Sequence, residues 1–139
     1  MKDNVLLHLA HEPDFSRIRA EDIKPALEST MAEAREQIAA VKRQPETNWD
    51  NTVERLTDIT ERVGRIWGVA AHLNSVADTP ELRAAYNEMM PEVTAFFSEI
   101  GQDIELYNRF KTIRNSPEFP TLTPAQQTKL EHDLRGFVL

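Results

Sequence analysis

The chain has 139 residues, 40% of them hydrophobic and 28% charged, enough to bury one compact core. Its 16 Lys and Arg face 23 Asp and Glu, a net charge of -7, and its basic clusters, Lys42-Arg43 and Lys111 with Arg114, are short and interrupted by acids. That pattern lacks the phosphate-neutralising stripe of a nucleic-acid binder. There is no cysteine, which excludes disulfide scaffolds, thiolate metal sites and cysteine nucleophiles.

The opening residues, Met1-Lys2-Asp3-Asn4-Val5-Leu6-Leu7, carry an acid early, and His8 ends their apolar run too soon for a signal-peptide core. No apolar stretch approaches the ~20 residues that span a bilayer. The expectation is a cytoplasmic protein with no membrane partner. Only four glycines occur, and the eight prolines gather near segment edges, leaving long windows with a helical hydrophobic period. The expected fold class is therefore all-α: an antiparallel bundle of about four helices with a long, proline-kinked third helix, preceded by an extended N-terminal arm.

The arm is expected over residues 1–20, where Pro13 and Phe15 sit among polar interruptions, and it should lie over another element. The helical domain is expected over 21–139. Its first helix is predicted from about Glu21 to Arg43, with Ile23, Leu27, Met31, Ala34, Ile38 and Val41 on one stripe. Pro25 is tolerable only near the first turn, and Pro45 stops the helix. Thr47-Asn48-Trp49-Asp50 reads as a cap opening a second helix to about Val76, with Val53, Leu56, Val63, Trp67, Ala70 and Leu73 inward. On its outer side, Asp58 with Arg62 and Glu61 with Arg65 are acid-before-base pairs at i,i+4 on a solvated face.

Thr79-Pro80-Glu81 supplies the next start, with Thr capping and Pro at the first helical position. The seam Leu82, Tyr86, Met89, Val93, Phe96, Ile100, Ile104, Tyr107 and on to Ile113 predicts one rod of about 50 Å. Pro91 should kink it. Thr123-Pro124-Ala125-Gln126 is a capping box for a fourth helix, whose buried side is marked by Leu130, Leu134 and Phe137. The last residues, Phe137-Val138-Leu139, are apolar; they either dock back on the bundle or form an exposed patch.

The four histidines invite a metal test. His8-Leu9-Ala10-His11-Glu12 resembles a reversed zinc motif, but it matches neither H-E-x-x-H nor H-x-x-E-H, and Pro13 breaks the helix that would aim the ligands. A carboxylate-bridged di-metal bundle needs Glu three residues before each His, and those positions hold Val5, His8, Val69 and Lys129. His132, after Glu131, reads as an exposed helix residue. His72-Leu73-Asn74-Ser75 reads as a hydrogen-bonded polar group locking the second helix to its neighbours. Trp49 and Trp67 read as core or interface anchors, while Met89, Met90 and Phe97 are open to either core or cleft. The residues thus point to no catalytic, cofactor-binding or metal site in this chain.

A resemblance adds function to this reading. Trp49-Asp50-Asn51-Thr52-Val53-Glu54, Arg62-Val63-Gly64-Arg65-Ile66-Trp67, His72-Leu73-Asn74-Ser75-Val76, Thr79-Pro80-Glu81-Leu82-Arg83, Ala85-Tyr86, Ile100-Gly101-Gln102, Leu106-Tyr107 and Leu134-Arg135-Gly136-Phe137 follow one another in a characteristic order. In order and spacing the chain resembles, from about residue 13 to residue 139, the N-terminal region of the thimet oligopeptidase and bacterial oligopeptidase A family. The resemblance implies a full-length zinc metallopeptidase that cuts short peptides in a deep channel, with zinc held by an H-E-x-x-H helix and a downstream Glu. That motif is absent here, so no catalytic or metal residue is carried over. By resemblance these helices supply channel wall and rim, and their partners are short peptides and the missing C-terminal catalytic half. The family continues for several hundred residues, which implies that this chain is an N-terminal fragment, and an apolar patch including Phe137 to Leu139 would then drive its self-association. The alternative reading is a stand-alone helical adaptor that uses its long third helix to bind another helix.

Overall fold

The computed structural model describes residues 4–9 and 17–139. The chain is all-α, as expected, with no strand among the described residues. Five helices follow in order: α1 Ala20–Lys42, α2 Arg55–Ala77, α3 Pro80–Gly101, α4 Ile104–Arg114 and α5 Pro124–Gly136. Two compact units are formed, one from Met1–Arg35 with Thr60–Ala95, the other from Glu36–Ile59 with Phe96–Leu139.

In the first unit, a 3-10 turn at Val5–His8 is capped by Asn4, whose side-chain oxygen accepts from the Leu6 amide at 3.1 Å. The Asn4 amide group donates to the Asp22 carbonyl at 2.9 Å, tying this turn to the start of α1 and burying Leu6. Pro13 and Phe15 of the expected arm lie outside the described residues. The α1 start is a reciprocal pair: the Arg19 amide donates to Asp22 Oδ2, and the Asp22 amide donates to the Arg19 carbonyl, both at 3.0 Å. Pro25 sits in the second turn of α1, close enough to its start for the helix to carry it. All six residues of the predicted α1 stripe are buried.

Helix α2 buries a wider arc than one stripe, because Ile59, Ile66 and Val69 join the predicted positions while Trp67 is only half-buried. Two rows at spacing seven, Leu56/Val63/Ala70 and Ile59/Ile66/Leu73, lie side by side on one face and with Val69 make a broad buried stripe opposite a charged, exposed side. Between α2 and α3, Asp78 takes a left-handed φ of 43°, which a short polar side chain tolerates, and Thr79 Oγ1 accepts from the Leu82 amide at 3.1 Å. The turn is thereby closed in two residues.

The second unit corrects the single third rod. Helix α3 runs through Pro91 but ends at Gly101, and a new helix, α4, begins at Ile104. Asp103 is extended (φ -82°, ψ 104°) and its carboxylate accepts from the amides of Glu105 and Leu106 at 3.0 and 3.2 Å. One extended residue rotates the helical phase, so the buried positions become Leu106, Phe110 and Ile113. Ile104, expected inside the seam, is largely exposed, and Tyr107 is half-buried. The seam failed there because Gly101 weakens the helix and Asp103 restarts it.

Candidate functional surface

The second helix does not open as α-helix. Residues Trp49–Glu54 form a π turn, capped by Asn48 and Asn51 reciprocally: the Asn51 amide donates to Asn48 Oδ1 at 2.8 Å and the Asn48 amide to Asn51 Oδ1 at 3.0 Å. This wide turn buries Trp49, whose backbone N–H donates to Glu118 Oε1 at 3.0 Å. The loop before it is held by one residue of α4. Arg109 donates from Nη1 to Thr47 Oγ1 at 3.0 Å and from Nη2 to the Lys42 and Gln44 carbonyls, filling its planar fork with oxygen acceptors. Lys42 Nζ meets Asp103 Oδ2 at 2.8 Å, so the cap of α4 is also an ion pair with the end of α1.

In the first unit, Trp67 of α2 and Tyr86 of α3 stack face to face, centroids 4.4 Å apart and planes 4° from parallel. Trp67 is thus an interface anchor between two helices, as its spacing suggested. Arg62 of α2 reaches Glu33 of α1 at 3.7 Å. The polar group at the end of α2 departs from expectation. His72 and Ser75 are exposed, and Asn74 Oδ1 is buried with no hydrogen-bond partner. Leu73 and Ala70, which face inward beside His72, carry the burial at this end of α2.

The remaining histidines are dispersed. His8 ends the N-terminal 3-10 turn and is exposed, while His11 lies outside the described residues. His132 is exposed on α5, in a shallow groove with Thr128, Lys129 and Arg135, where Lys129 Nζ pairs with Asp133 Oδ2 at 2.9 Å. Among the described residues, no three His, Asp or Glu side chains are placed to hold a metal ion.

The surface features that sequence could not assign are now placed. Met89 is a core residue, 1% exposed, whereas Met90 and Phe97 on the same helix are 42% and 38% exposed. The rings of Phe97 and buried Phe96 meet in a T-shaped contact, centroids 5.2 Å apart and planes 77° from parallel. Asp103 escaped sequence reading, although Gly101 followed by an acid and an apolar run is a stop-and-restart signal. No described helix is long and apolar enough to cross a membrane. Chemically, the described helices offer scattered exposed apolar side chains, among them Met90 and Phe97.

Comparison with known proteins gives the surface a context. The family model for the neurolysin/thimet oligopeptidase N-terminal domain matches residues 27–139. Oligopeptidase A of Haemophilus influenzae is 38% identical over 136 residues, covering 98% of this chain and 20% of that protein. A probable cytosolic oligopeptidase A of Arabidopsis thaliana is 34% identical over 139 residues, covering 100% of this chain and 20% of its own length. An organellar oligopeptidase A, chloroplastic/mitochondrial, of the same plant is 33% identical over 139 residues, covering 18% of its own length. The chain spans about a fifth of the length of the curated relatives it matches.

Proposed function

The chain belongs to the neurolysin/thimet oligopeptidase family, as its N-terminal domain, and from that premise we propose that the full-length protein is a zinc-dependent oligopeptidase of the cytoplasm that hydrolyses short peptides. Within it, residues 1–20 act as an arm and residues 21–139 as a helical domain that forms wall or rim of the substrate channel. This domain performs no catalytic step. It limits which peptides enter.

The observation that carries this reading is the match to the family's N-terminal domain in a chain one fifth the length of relatives named oligopeptidase A. On this reading zinc is held by the remainder of the full-length protein, in keeping with the lack of a three-ligand His, Asp or Glu group among the described residues. Each unit is tied within itself: the Trp67–Tyr86 stack joins α2 to α3 in the first, and the Arg109 fork holds the loop before the π turn in the second. As wall or rim, such helices exclude folded proteins while passing an extended peptide. Exposed Met90 and Phe97 supply apolar contacts for such a peptide without demanding a particular sequence.

The test uses the full-length protein and a series of quenched fluorescent peptides of increasing length. Cleavage is expected to be abolished by a chelator, restored by zinc, and confined to the shorter peptides. Phe97→Ala or Met90→Ala is expected to change the KM ratio between long and short peptides by a few fold, with kcat on the shortest peptide unchanged. Chelator-resistant cleavage would refute the zinc assignment, and a length profile untouched by both substitutions would refute the role as rim.

A further inference from the structure

We draw no further inference here: the strongest candidate, the open side of α2 where Gly64 and Gly68 lie one turn apart with free space above them beside the stacked rings of Trp67 and Tyr86, is a stripe of small residues, and nothing in the structure shows what covers it.

Discussion

At the scale of single residues, the π turn sets two acids side by side. Asp50 hydrogen-bonds Glu54 and repels its charge, and both effects raise the Glu54 pKa above its ordinary value of 4.5. A carboxyl raised in the folded state binds its proton more tightly there than in the unfolded chain. Its stabilising contribution is thus full below the unfolded pKa and lost as pH rises through the folded one. The stability of the protein is expected to fall over that window, and Glu54→Gln to remove this part of the fall. Thermal unfolding followed by circular dichroism from ~pH 4 to ~pH 7 checks it, and parallel curves for the two proteins would sink the idea. Single-residue burial was largely legible in sequence where a side chain sits mid-helix. Met89 and Met90 mark the limit: adjacent, chemically identical, and separated only by the helical rotation that turns one inward and the other out.

At the scale of elements, Asp103 decides where one helix ends and the next begins. It accepts two amide hydrogens of α4 and pairs with Lys42 in a half-buried setting, so it combines a cap with an ion pair. Asp103→Ala is expected to destabilise the protein by about 2 kcal/mol, because both contributions go. Asp103→Asn keeps a capping oxygen and should lose about half as much. Urea denaturation at unchanged m-value measures both, and an equal loss in the two variants would mean that the cap contributes nothing. The predicted seam ran through this point because Ile100, Ile104 and Tyr107 keep helical spacing. Periodicity counts residues and takes the backbone to be helical throughout; a single extended residue resets the phase. The caps at Thr79 and Thr123 were legible because each is a local hydrogen bond between residues three apart, whereas the second helix, read as capped from Thr47 with Asp50 three residues on, is capped one residue later by Asn48 with Asn51.

At the scale of the whole molecule, the family assignment and the absence of a zinc ligand set among the described residues lead to one joint expectation. The unfolding midpoint of the 139-residue chain should shift by less than about 1 °C on adding either a chelator or excess zinc, since a ligand that does not bind the native state cannot stabilise it. A zinc-dependent rise in the midpoint, seen by differential scanning calorimetry, would move metal binding into this chain. The helical class, the buried stripe of α1, the caps and the family were determined by sequence alone, because each depends on neighbours within a turn or two or on motif order. Tertiary structure alone decided the width of the buried stripe of α2, the exposure of His72 and the outward setting of Phe97 and Ile104. Those depend on which surfaces meet when segments distant in the chain pack together, and a one-dimensional pattern does not contain that information.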